Sequence, residues 1–432
     1  MLEGFRTAAR QAGHDRALRG LLIDCKRLLS ERGEANSVAI ARDLVARFYA
    51  LADDQQATFF ERLSRDFGPD PKAVLESAQA YAKEPNARNL IRLTHLAEPP
   101  RQELLRRINR LPGGTSSIVA MRRALLARVA RQPELQALEA DFLHLLSSWF
   151  NPGFLQLQRV DWNSPAQLLE QIIHHEAVHE IDGWDDLRRR LQPDRRCFAF
   201  FHPQLPSEPL IFVEVALLPQ MPASIAPLID KASRPLPPDQ FKVAAFYSIS
   251  NCQPGLKGVS LGNFLIKRVA EELKRELPQL RVFCTLSPIP GFARWVRAGA
   301  HCEGLPKARA ERLAQAHATV LEACGGDFDR WSSATALRAL PEETMQALTR
   351  LAAFYLGVHA TSAGGDPVAR FHLDNGARLE RLNPLADLSA KGVKQSFAMM
   401  VNYLYDLQKV ETHHEKFTHG EVAQSRALAA LL

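Results

Sequence analysis

Apolar residues in the first 150 positions recur at three- and four-residue spacing. Leu21, Leu22, Cys25, Leu28 and Leu29 form one such set; Ile40, Leu44, Phe48 and Leu51 a second; Leu125, Leu126 and Val129 a third. Residues so spaced share one face of a helix. Breakers separate the sets: Pro69 and Pro71, the pair Pro99-Pro100, and Pro112-Gly113-Gly114. The pattern predicts a helical bundle with short connections over residues 1–150. Asn151-Pro152-Gly153 marks a boundary, and the pattern then changes. Cys197–Phe201 and Leu210–Leu218 read as two strands of a hairpin, and Val243–Ser250 as a third, near-continuous apolar strand. A glycine-punctuated loop, Pro254–Phe264, leads into a helix whose inner face is Phe264, Leu265, Val269, Leu273 and Leu277. Another strand-like run, Leu280–Leu286, ends at Ser287. A helical insert follows from about Lys307 to Val358. Val368–Leu373 and Ala377–Leu382 then flank Asp374-Asn375-Gly376, a hairpin-turn signal, and a last long helix carries Phe397, Met400, Val401, Leu404 and Leu407. The expected fold class is α+β: an all-helical bundle, 1–150, followed by an α/β domain, 151–432.

Composition narrows the function. A chain of 432 residues is long for one core, which favours two domains. The net charge of +6 comes from closely mixed acids and bases, with no lysine-arginine tract, so a small anionic ligand suits it better than nucleic acid. Six cysteines show no CxxC pair and sit largely in apolar runs, as expected in a reducing compartment. The apolar region Leu205–Ile229 is broken by Glu208, Glu214 and prolines, so no membrane span is expected. With no secretory-type start and no peroxisomal tail, the chain reads as cytoplasmic.

Three segments carry candidate chemistry. Ser287 stands at the end of a buried strand and opens the turn Ser287-Pro288-Ile289-Pro290-Gly291, whose prolines hold it with little entropy left to lose. Lys257, Gly258, Val259, Ser260, Leu261, Gly262 and Asn263 lead into a helix, and backbone N–H groups there suit a pyrophosphate. The competing reading is a tight strand-to-helix turn without a ligand. His175-Glu176-Ala177-Val178-His179 fits the HExxH zinc pattern, but its extended form is absent, because Asp182 and Asp185 occupy those positions. No metal is expected there; the alternative is a helix packing the main domain. Singly, Ser287 reads equally as a turn residue, and His372 as a histidine beside a hairpin.

Together these segments resemble the malonyl-CoA decarboxylase family. The resemblance runs through His174–His179, Gly183–Leu187, Arg196–Pro203, Phe246–Ser250, Gly262–Lys267, Leu286–Phe292, Phe371–Ala377 and Val401–Tyr405, in order. It implies a helical domain used for assembly, usually into homotetramers, and a catalytic domain of the GNAT acyltransferase type. It also implies coenzyme A pyrophosphate on the loop before the first long helix of that domain, malonyl-CoA and acetyl-CoA as ligands, and catalysis by Ser287 and His372. Tyr405 matches a family tyrosine that would orient His372 or the substrate. The implied reaction gives acetyl-CoA and CO2 through a thioester enolate, so coenzyme A belongs to the substrate and no separate cofactor is expected. Ser287 would touch the carboxylate or the carbonyl, and His372, with a pKa near neutral, would protonate C2. One departure stands out: animal-type members carry glutamate where this chain has Ser260, so a role for that carboxylate does not transfer. The alternatives are a GNAT-type acyltransferase and a helical regulatory protein that binds acyl-CoA without turnover.

Overall fold

The computed structural model describes residues 2–30 (side chains from Arg16), 36–259, 261, 265–362 and 364–432. The chain divides into two compact units: residues 1–155 with 202–207 and 253–261, and residues 156–201, 208–252 and 262–432.

The first unit is helical, with α1 (Leu2–Leu29), α2 (Ser37–Tyr49), α3 (Asp53–Asp66), α4 (Pro71–Lys83), α5 (Ala87–Ala97), α6 (Pro100–Asn109), α7 (Gly114–Val129) and α8 (Gln136–Trp149). The predicted breakers fall between helices, and several work as starts. Asp70 accepts from the N–H groups of Lys72 and Ala73 ahead of α4, with Pro71 at its first position. Leu21, Cys25, Leu28, Leu44, Phe48 and Leu125 are all in the core, as their spacing predicts. The buried Arg101 is paired with Asp141.

The second unit is built on a mixed sheet. Among the described residues it has eight strands in the order β1-β2-β3-β4-β5-β8-β6, with β7 also on β8. The strands are β1 (Gln156–Val160), β2 (Arg195–Phe201), β3 (Ile211–Leu218), β4 (Val243–Asn251), β5 (Val282–Thr285), β6 (Ser287–Pro288), β7 (Arg378–Asn383) and β8 (Met400–Leu404). β2 and β3 are antiparallel neighbours, as expected; β4 and β5 run parallel. The helices used below are α9 (Ala166–His175), α10 (Gly183–Arg190), α11 (Leu265–Glu276), α12 (Phe292–Arg297), α13 (Lys307–Ala323), α14 (Glu342–Gly357), α15 (Pro367–Asp374) and α16 (Ala390–Ser396). The amphipathic α11 buries Leu265, Ile266, Val269, Ala270 and Leu273. No helix among the described residues is long and apolar enough to cross a membrane.

Two expectations are corrected. The segment before Asp374-Asn375-Gly376 is a helix, not the first strand of a hairpin: Asp366 caps α15, Pro367 starts it, and Gly376 leaves it with φ +75°. Only the second predicted strand exists, as β7, and it pairs with β8. The predicted last long helix is also absent. α16 stops at Ser396, Phe397 turns left-handed with φ +51°, and Met400–Leu404 forms a buried strand.

A charged cluster is sealed inside this unit. The Arg190 guanidinium, 1% exposed, donates to both carboxylate oxygens of Asp186 (2.9 and 3.2 Å), to Glu214 Oε2 (3.0 Å) and to the Glu180 carbonyl (3.1 Å). Burial pushes the Glu214 carboxyl up to about 7, against the pull of Arg190.

Candidate active site

The site arises where two parallel strands part. β4 and β5 pair only from Val243↔Val282 to Phe246↔Thr285, and Leu286 N–H still reaches the Phe246 carbonyl at 3.0 Å. Beyond that point Ser287 and Pro288 turn to β8, while β4 runs on to Asn251 beside β3. A cavity of about 280 Å³ opens in the gap, with Tyr247 and Ser248 on the β4 side, Ser287 and Pro288 opposite, and Phe371 and His372 of α15 between.

Ser287 and His372 line it, and with Tyr405 they form one chain of hydrogen bonds. His372 Nε2 is 2.9 Å from Ser287 Oγ, and its Nδ1 is 2.9 Å from the Tyr405 hydroxyl. Ser287 donates to Thr285 Oγ1 at 2.8 Å, and that oxygen also accepts the Tyr403 N–H at 3.2 Å. Since the serine proton goes to Thr285, the serine oxygen is left to accept from Nε2. The ring proton therefore lies on Nε2, and Nδ1 accepts from Tyr405. The imidazole stacks on Tyr403, centroids 4.6 Å apart and planes 27° apart. Burial pushes the His372 pKa down to about 3 and the Tyr405 phenol well above its usual value. The histidine is thus neutral, not poised near neutrality as expected.

That shift has a consequence for stability. The unfolded imidazole takes a proton near pH 6.5, but the folded one only near 3. Between those values the unfolded state binds more protons, so this group removes stability as pH falls from 6.5 toward 3. The limiting slope is about 1.4 kcal/mol per pH unit. His372→Gln removes the titration. Urea unfolding at pH 7, 6 and 5 is expected to show the variant gaining on the wild type as pH falls; a constant gap would mean that His372 titrates alike in both states.

The HExxH segment does not form its zinc geometry. α9 ends at His175, and Glu176 is already extended at ψ 109°, so His175 and His179 do not share a helix face. The Glu176 carboxylate instead accepts from the N–H groups of Val178 and His179, both at 2.8 Å, and from the Ser248 hydroxyl at 2.7 Å. It fixes the wall of the cavity that holds Val178 and Ser248.

Four of the seven predicted phosphate-binding residues are described. Lys257, Gly258, Val259 and Leu261 belong to the helical unit and do not line the cavity. The Arg122 guanidinium donates to the Gly255 and Lys257 carbonyls at 2.8 and 2.7 Å, and Gly258 takes φ +81°. Ser260, Gly262 and Asn263 lie outside the described residues. Sequence reading missed Thr285, Tyr403, Asp366 and the role of Glu176. A signal existed for Asp366 alone: Asp-Pro before an apolar run is a helix start.

The chain matches known proteins along most of its length. The model of the malonyl-CoA decarboxylase C-terminal domain matches residues 153–432, and that of the N-terminal domain matches residues 67–150. The mitochondrial malonyl-CoA decarboxylase of Mus musculus is 35% identical over 405 residues, covering 88% of this chain and 82% of its own length. The crystal structure of malonyl-CoA decarboxylase from Rhodopseudomonas palustris is 46% identical with a TM-score of 0.85, covering 96% of this chain and 99% of that one. That from Agrobacterium vitis is 46% identical with a TM-score of 0.81, covering 95% and 99%. With both domain models matched and relatives alike over most of their length, the chain belongs to the malonyl-CoA decarboxylase family.

Proposed function

We propose that the chain converts malonyl-CoA to acetyl-CoA and CO2, with Ser287, His372 and Tyr405 as its working groups. The observation that carries this reading is the 2.9 Å contact between Ser287 Oγ and His372 Nε2 inside a cavity that opens between parting strands. The family names supply the substrate. The bond from C2 to the carboxylate carbon breaks, CO2 leaves, and the electron pair enters the thioester as an enolate. The thioester carbonyl is the electron sink, so the step requires no cofactor. One proton must then reach C2. The neutral histidine acquires it with the substrate: the arriving carboxylate is a negative charge that raises the imidazole pKa, so a solvent proton comes in with it. Nε2–H then protonates C2 and the ring returns to neutral. Tyr405 holds Nδ1, and Ser287 orients the carboxylate or the thioester oxygen. The parting of β4 and β5 suits a GNAT-type sheet receiving an acyl-CoA. The coenzyme A diphosphate is assigned to Lys257–Asn263, ahead of α11.

The test is direct. Purified protein is incubated with malonyl-CoA, with and without chelator, and without an acyl acceptor, while acetyl-CoA and CO2 are followed together. Equal formation of both, unchanged by chelator, is expected. Tight malonyl-CoA binding without CO2 would overturn the reading in favour of an acyltransferase lacking its acceptor or a non-catalytic binder.

A further inference from the structure

We propose that Asp366 is a positioning residue that sets the distance between Ser287 and His372 by joining the two backbone segments that carry them. The inference rests on the reading of that pair as the working groups. Asp366 is 1% exposed. Its Oδ1 accepts from the Val368 and Ala369 N–H groups at 2.9 and 3.1 Å, in the first turn of the helix that bears His372. Its Oδ2 accepts from Gly291 N–H at 3.1 Å and from the Tyr355 hydroxyl at 3.4 Å. Gly291 ends the turn that begins at Ser287, and Pro288 and Pro290 stiffen the path between them. All four partners are donors, the complement of an ionised carboxylate.

The connections close a loop. From Ser287 a proline-stiffened turn leads to Gly291, Gly291 is bonded to Asp366, and one helical segment leads from Asp366 to His372. The 2.9 Å contact between Ser287 and His372 is the remaining side. The corner at Gly291 is tightly fitted: a Cβ there would lie 2.1 Å from the Tyr355 hydroxyl oxygen. That tyrosine packs on Phe292 and Trp295, with ring centroids 5.8 and 5.1 Å apart. A helix cap alone needs one acceptor oxygen, and the second oxygen of Asp366 serves the serine turn.

Asparagine separates the two duties. It caps a helix about as well as aspartate, but its amide has one acceptor oxygen, so either the cap or the Gly291 bond is lost. In Asp366→Asn, kcat is expected to fall by about 10²-fold, the scale of a misplacement near 1 Å, while KM stays within about threefold and the melting temperature falls by less than in Asp366→Ala, because one of the two bonded sides is kept. Asp366→Ala is expected to lose kcat similarly and to melt lower. Wild-type kcat in Asp366→Asn, with only Asp366→Ala impaired, would reduce Asp366 to a cap and overturn the proposal. A second readout does not depend on turnover. The His372 Nε2–H resonance in ¹⁵N-histidine-labelled protein, assigned by its disappearance in His372→Gln, is expected to move upfield in Asp366→Asn as the bond to Ser287 lengthens. An unmoved resonance would overturn the proposal. Should His372→Gln still decarboxylate malonyl-CoA, the catalytic reading would fall, while this resonance would still judge Asp366.

Discussion

His372→Gln is expected to lower decarboxylation by about 10³-fold, within the range typical for removal of a general acid, while binding of acetyl-CoA stays within a few-fold of wild type. Glutamine is the informative choice because the ring is fully packed. Alanine would leave a hole against Tyr403 and strip the buried Tyr405 hydroxyl of its acceptor, and an unpaired buried polar group by itself costs about 1–3 kcal/mol. The glutamine amide can still meet Ser287 and Tyr405, but it carries no proton that C2 can take. Steady-state turnover measured alongside calorimetric binding of acetyl-CoA separates the possibilities. Loss of turnover alone supports the acid role. Equal loss of both would mean that His372 holds the ligand or the fold.

The largest expected effect on stability lies away from the cavity. Arg190→Met is expected to destabilise the fold by about 3–5 kcal/mol, the range for breaking a buried ion pair from one side. Asp186 and Glu214 would be left inside, 3% and 1% exposed, with their main counter-charge gone. Burial already pushes Glu214 up to about 7 with Arg190 beside it, so in the variant it will fold protonated. Its loss of stability should then deepen as pH rises from 6 to 8, because the unfolded chain gives up that proton readily and the folded one does not. Adding Glu214→Gln should recover part of the loss. Urea unfolding at both pH values checks this: a single variant within 1 kcal/mol of wild type, or a double variant no better than the single, would sink the argument.

The elements legible in the sequence were those in which one physical signal dominated. Apolar spacing in the first 150 residues gives the helices, and the largely apolar runs at Phe198, Phe212 and Phe246 give β2, β3 and β4, as strands buried along most of their length require. The position of Ser287 at a strand end was legible from the prolines that follow it, which cannot continue a central strand. His372 was named, but its element was misread. Asn375-Gly376 can turn a hairpin or end a helix, since both need a residue that tolerates the left-handed region. Asp366-Pro367 was the signal that should have decided. Met400–Leu404 is apolar at every position but Asn402, so periodicity could not separate a buried strand from a helix. The partners of the candidate site were hidden for another reason. Tyr403 meets His372 and Thr285, and Asp366 meets Gly291, across long stretches of chain, and no local pattern records such a meeting.

The cysteines turn the two units into separately addressable objects. Cys25 is sealed in the helical unit, while Cys197, Cys252, Cys284 and Cys324 are sealed in the sheet unit. Burial pushes the Cys25, Cys252 and Cys284 thiols up to about 12, so in the native state they are protonated as well as screened. A thiol-alkylating reagent can therefore reach them only through opening of the surrounding structure. Peptide-resolved labelling would report the opening of each unit on its own clock, from residues the chain already carries, with no engineered probe.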